Sequence, residues 1–90
     1  MRAIKKAETL KNEAADHFKK GNYNEANAIY TQCLELFPNN PQYNSTIYLN
    51  RALSYSKQSK FDLALQDLNK AIQLNEKYAK AYVKRAEIHQ

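Results

Sequence analysis

The sequence holds one glycine, two prolines, one cysteine and no tryptophan among its 90 residues. So few turn formers argue against a sandwich or barrel of many short strands. A single cysteine excludes a disulfide framework and a multi-cysteine zinc site within the chain. No apolar run approaches the length of a membrane span. The opening Met1-Arg2-Ala3-Ile4-Lys5-Lys6 also lacks the apolar stretch of a secretory signal. Acidic side chains are outnumbered, nine Asp and Glu against fourteen Lys and Arg, for a formal charge of +5. That balance favours acidic partners: nucleic acid, an anionic membrane or a carboxylate-rich peptide. Hydrophobic residues make up 43% of the chain, enough for one small core that is only weakly stabilising at this size. The expectation is a soluble, cytoplasmic, helical protein.

What is present is an internal repeat. Residues 7–40 and 45–78 are blocks of 34 residues that match position by position. Leu10 falls on Tyr48, Ala14 on Ala52, His17 on Tyr55, Gly21 on Ser59 and Tyr23 on Phe61. Ala26 then falls on Ala64, Tyr30 on Leu68, Cys33 on Ala71 and Leu36 on Leu74. Large positions meet large and small meet small. A third copy opens at Ala79, with Tyr82 and Ala86 in phase, and supplies the first half of a repeat before Gln90.

Within each block the apolar residues recur at three and four, as in Leu10, Ala14, His17 and Phe18, or Ala26, Ile29, Tyr30 and Cys33. This is the period of an amphipathic helix. Gly21-Asn22 divides the first block into two helices, because glycine accepts the left-handed conformation that ends a helix. Ser59-Lys60 takes that place in the second block. Pro38 and Pro41 are read as ending the second helix, since proline lacks an N–H and restricts the residue before it. The spacing predicts helices near 5–20, 24–37, 45–57, 61–74 and 79–90. The insert Pro41-Gln42-Tyr43-Asn44 either lengthens the loop or adds a partial turn to the third helix.

The 34-residue period, the small–large code and the breaker together resemble the tetratricopeptide repeat (TPR). The residues that carry the likeness are Leu10, Ala14, Tyr23, Ala26, Tyr30, Cys33 and Pro38, then Tyr48, Ala52, Tyr55, Phe61, Ala64, Leu68 and Ala71. The resemblance implies an all-α fold, a right-handed superhelix of antiparallel helix hairpins (an α-solenoid), with a concave groove lined by the first helix of each repeat. It implies one domain over 1–90, with repeats at 7–40 and 45–78 and the first helix of a truncated repeat at 79–90.

The runs Tyr48-Leu49-Asn50-Arg51-Ala52 and Lys80-Ala81-Tyr82-Val83-Lys84-Arg85-Ala86 further resemble the co-chaperone branch of that family, including the repeats of DnaJ-type co-chaperones. That branch binds the acidic C-terminal tail, Glu-Glu-Val-Asp, of the 70- and 90-kDa heat-shock chaperones through a carboxylate clamp. The resemblance places Lys11, Asn50, Lys80 and Lys84 in the clamp. A further asparagine of the family falls at Ala15 and is missing. Lys80 and Lys84 lie one helical turn apart and so share a face. Asn50 interrupts an apolar stretch (Ile47, Tyr48, Leu49, Ala52, Leu53) and needs a partner. That partner is either a ligand or backbone within the core. The competing reading of the lysines is a set of solvated surface charges.

His17 and His89 have no third ligand in view and fall where the repeat takes an aromatic packing residue. Cys33 occupies a small core position, and Asp16, Asp62 and Asp67 read as isolated surface acids. No metal, cofactor or catalytic residue is expected. The basic first helix (Arg2, Lys5, Lys6, Lys11, Lys19, Lys20) and seven tyrosines raise RNA as a rival ligand. Nucleic acid is disfavoured because Tyr23, Tyr30, Tyr48, Tyr55 and Tyr82 sit at packing positions. The first rival to tail binding, ahead of RNA, is a scaffold with a different peptide ligand or a role in assembly alone. The unfinished third repeat leads to the expectation of a piece of a larger co-chaperone that self-associates through its open C-terminal end.

Overall fold

A computed structural model describes residues 2–37 and 39–89, with side chains over 5–37 and 39–88. Five helices follow one another: α1 (Arg2–Lys19), α2 (Tyr23–Leu36), α3 (Pro41–Lys57), α4 (Phe61–Leu74) and α5 (Ala79–His89). No strand occurs among the described residues. Each helix packs on the next in the chain, α1 on α2, α2 on α3, α3 on α4 and α4 on α5. The result is a stack of hairpins measuring 42 × 29 × 16 Å, an α-solenoid.

The two hairpin turns are the same turn. Gly21 has φ 80° and Ser59 has φ 60°. In the first, the amide of Asn22 donates to the His17 carbonyl at 2.8 Å and that of Gly21 to Phe18 at 3.1 Å. In the second, Lys60 donates to Tyr55 at 2.9 Å and Ser59 to Ser56 at 3.0 Å. Both are Schellman ends, a six-to-one bond enclosing a tighter one, which satisfy the last free carbonyls of a helix. Ser59 therefore adopts the left-handed conformation that glycine takes at the matching position.

One boundary corrects the sequence reading. Pro41 does not end α2; it is the first residue of α3, where its missing N–H costs nothing and its fixed φ suits the helix. Asn40 caps that helix, its side-chain oxygen accepting from the Tyr43 amide at 3.0 Å. Asn44 donates from Nδ2 back to the Phe37 carbonyl at 2.8 Å. The four-residue insert is thus a full helical turn of α3. α2 stops at Leu36, and Phe37 leaves the helical region at φ −132°. The reading placed on Pro38 itself lies outside the described residues, as does the packing role read for the His89 side chain.

Two apolar clusters share α3. Ala14, Ala26, Tyr30, Cys33 and Ile47 join α1, α2 and α3. Leu49, Ala52, Ala64, Leu68, Ala71 and Ala81 join α3, α4 and α5. Alanine recurs at the crossings because a small side chain lets helix axes approach, while leucine and tyrosine fill the space on either side. The packing expected of Cys33 is found: the thiol is fully buried, and burial pushes its pKa up.

Candidate functional site

Ala79, Lys80, Val83 and Lys84 of α5 line one hollow with Leu49 and Leu53 of α3. It is a mostly apolar depression of about 440 Å³. Lys84 also borders a second hollow of about 650 Å³ that reaches Phe18, Phe61 and Ile88. Lys80 is exposed, and among the described residues it makes no ion pair. The amine of Lys84 lies 3.3 Å from the carboxylate of Glu87, one turn further along α5 and largely in solvent.

Asn50 is half-buried on α3 and lines neither hollow. It precedes Leu53 by three residues, so the two share one side of α3. Among the described residues no hydrogen bond engages its amide, so the backbone partner weighed from the sequence is not found. Lys11 is half-buried on α1. It is close enough to Cys33 for its charge to act against the rise in the thiol pKa, and it lines neither hollow. The structure thus gathers Lys80 and Lys84 at one depression and puts neither Asn50 nor Lys11 in its lining. Ala15, where a further amide donor would stand, is half-buried on α1. Two amines above an apolar floor can hold a carboxylate joined to a short apolar side chain.

Asp67 corrects a second expectation. It is no isolated surface acid but is 5% exposed and fixed to Arg51 by two bonds, Nε to Oδ2 at 2.7 Å and Nη2 to Oδ1 at 2.8 Å. The remaining guanidinium nitrogen, Nη1, donates to Thr31 Oγ1 at 3.0 Å. The guanidinium also lies over the rings of Tyr48 and Tyr55, 5.6 and 5.8 Å from their centroids. Hydrogen bonding to Asp67 raises the Arg51 pKa further above its already high value. One side chain therefore ties α2, α3 and α4 together directly beside Asn50. The sequence offered little to reveal it, because the partners come from three helices. Among the described residues there is no cluster of three or more potential metal ligands, and no helix is long and apolar enough to cross a membrane.

Comparison with known proteins decides the family. The tetratricopeptide-repeat profile matches residues 7–40 and, in a second form, 45–78. The chain belongs to the tetratricopeptide-repeat family. Human serine/threonine-protein phosphatase 5 is 43% identical over 93% of this TPR chain, which spans 16% of that protein. Human DnaJ homolog subfamily C member 7 is 39% identical over 97% of it, with 18% of that protein spanned. Human mitochondrial import receptor subunit TOM70 is 36% identical over the whole of it, with 15% spanned. Among solved structures, the first TPR of Spaghetti (RPAP3), bound to the HSP90 peptide SRMEEVD, superposes with a TM-score of 0.83 at 38% identity. That match covers 93% of this chain and 65% of the other. The TPR2B domain of yeast Sti1, in a complex with pHsp70, gives 0.81 at 30% identity, covering 92% and 63%.

Proposed function

We propose that this TPR domain binds the acidic C-terminal peptide, of Glu-Glu-Val-Asp type, of 70- and 90-kDa heat-shock chaperones, as the docking module of a cytoplasmic co-chaperone. The observation that carries the reading is the pair Lys80 and Lys84 lining one apolar depression with Leu49 and Leu53 of α3, the helix that also carries Asn50. The terminal aspartate of such a tail brings two carboxylates, and the preceding valine suits a floor of Leu49, Leu53 and Val83. The two structural neighbours, one holding an HSP90 peptide and one a pHsp70 complex, support the same ligand class. The likeness to a DnaJ homolog supports the co-chaperone setting. On this reading the domain recognises a peptide and performs no chemistry on it.

Lys11 enters as the far member of the site, meeting the tail from α1. A charge-assisted hydrogen bond in a partly dry groove contributes about 1.5–3 kcal/mol. The donor missing at Ala15 therefore leaves the affinity about tenfold or more below that of a site with five donors. Fluorescence anisotropy with a Met-Glu-Glu-Val-Asp peptide, its C-terminal amide and a short RNA tests the proposal. Binding of the acid that the amide does not reproduce, and a gain with Ala15→Asn, are expected. Equal affinity for acid and amide would hand the groove to a different peptide, and tighter binding of RNA would point to the basic first helix.

A further inference from the structure

Three hollows adjoin one another. The depression lined by Lys80 and Lys84 shares Leu53 and Lys84 with the second hollow, which also holds Phe18, Lys57 and Ile88. The second shares Phe61 with a third, of about 370 Å³, formed by residues 59–63 at the turn between α3 and α4. A continuous track therefore leads from α5 to that hairpin turn. Positive charge lies along it. α3 contains no acidic residue. Lys57 at its end and Lys60 in the turn are both exposed, and among the described residues neither makes an ion pair. The acids in the two outer hollows are Glu87, 3.3 Å from the Lys84 amine, and Asp62. Phe61 and Leu63 are 47% and 40% exposed, so the turn offers apolar surface beside its amines.

We infer that the hairpin turn at Ser59 holds the segment preceding the terminal motif of a bound tail, and that Lys57 and Lys60 select acidic residues there. The inference rests on the tail-binding reading and extends it to a surface outside the depression. Length along α3 sets the reach. Leu49 and Lys57 are eight residues apart on one helix, about 12 Å. About four extended residues cover that length. A tail whose last residue meets Lys80 thus lays its final five residues along the first two hollows. The residues before them arrive at Lys57, Lys60 and Phe61. Both lysines are exposed, so each ion pair contributes little alone. The preference comes from the two acting together and from their attraction of an approaching acidic segment. A basic segment would meet two like charges instead, which turns affinity into discrimination.

The test titrates four peptides into the full chain at low salt: Met-Glu-Glu-Val-Asp alone, and the same motif preceded by Gly-Ser-Asp-Asp, by Gly-Ser-Gly-Ser or by Gly-Ser-Lys-Lys. The acidic extension is expected to bind about threefold or more tighter than the neutral one, and the basic extension weaker than both. In the double variant Lys57→Gln, Lys60→Gln the ratio of acidic to neutral should fall to about one. By NMR, the amides of residues 59–63 should shift with the acidic extension and not with the bare motif. Equal affinity for the acidic and neutral extensions, a ratio unchanged in the double variant, or a turn whose amides do not shift overturns the inference. If the bare motif still binds in those cases, the tail-binding reading stands without it. Failure of all four peptides to bind overturns both. A dimer of the free chain that buries Phe61 and Leu63 assigns the turn to a second copy and also overturns the inference.

Discussion

Arg51 and Asp67 face each other across the second hairpin with both carboxylate oxygens engaged, at 2.7 and 2.8 Å. The pair is largely shielded from water, the side chains being 17% and 6% exposed. Such a pair stabilises little against a well-packed apolar substitute, but removing one member strands the other. Asp67→Ala is therefore expected to destabilise the fold by about 3–5 kcal/mol, a large share of the stability of so small a domain. Asp67→Leu together with Arg51→Met should recover much of that loss. Urea midpoints of the parent and the two variants check it; an Asp67→Ala variant as stable as the parent would contradict a shielded pair.

Gly21 and Ser59 make opposite predictions at equivalent turns. Both sit in the left-handed region, and nothing lies within 4 Å of where a Gly21 Cβ would be. The effect at either site is therefore backbone strain alone, about 1 kcal/mol. Gly21→Ala should destabilise by that amount and Ser59→Gly should stabilise by a similar one. Thermal melts that move both variants in the same direction would refute the shared geometry.

Alkaline pH should weaken the fold through Cys33 and Tyr43. Burial pushes both pKa values up, so each group is held protonated in the folded chain above the pH at which it ionises when unfolded. Above the ordinary thiol pKa, about 8.5, the unfolded chain binds fewer protons than the folded one, and stability falls as pH rises. Below that range their contribution is constant. Cys33→Ala, which installs the residue that the second repeat carries as Ala71, should remove the thiol's part of the decline. Urea midpoints at neutral pH and at about pH 9.5 measure it, and a parent chain with equal midpoints at both would contradict the prediction.

On the tail-binding reading, Glu87 competes with the ligand for Lys84. Its carboxylate sits 3.3 Å from the Lys84 amine, where an incoming carboxylate would bind. An exposed pair at this spacing contributes about 0.2–0.5 kcal/mol, so Glu87→Gln should tighten tail binding about twofold at low salt. The gain should fade at high salt, where such pairs are screened. Titrations at two ionic strengths separate this from a change in fold; weaker binding at both would show that Glu87 assists the ligand.

The hairpins were legible because their signals are local. Apolar spacing, alanines at the crossings and the breaker positions repeat along the chain, and the register located the turn at Ser59 although serine is a poor left-handed residue. Pro41 misled because a proline near a helix boundary marks a start as readily as a stop. The cap at Asn40 and the bond from Asn44 to Phe37 decide between them only in three dimensions. Lys80 and Lys84 could be paired from sequence, being one turn apart on one helix. The position of Lys11 away from their depression, and the grip of Arg51 on Asp67, depend on how separate helices cross, which no local pattern encodes.

On the proposed function, Lys80 meets the chain terminus of an acidic tail. A double-mutant cycle tests it most directly: affinities of the parent and Lys80→Ala for a Met-Glu-Glu-Val-Asp peptide and for its C-terminal amide. The tail-binding reading predicts that amidation costs the parent at least about tenfold and costs Lys80→Ala clearly less, the two losses overlapping because they remove one contact. Losses that simply multiply would mean that Lys80 and the terminal carboxylate do not meet, and would contradict the site described here.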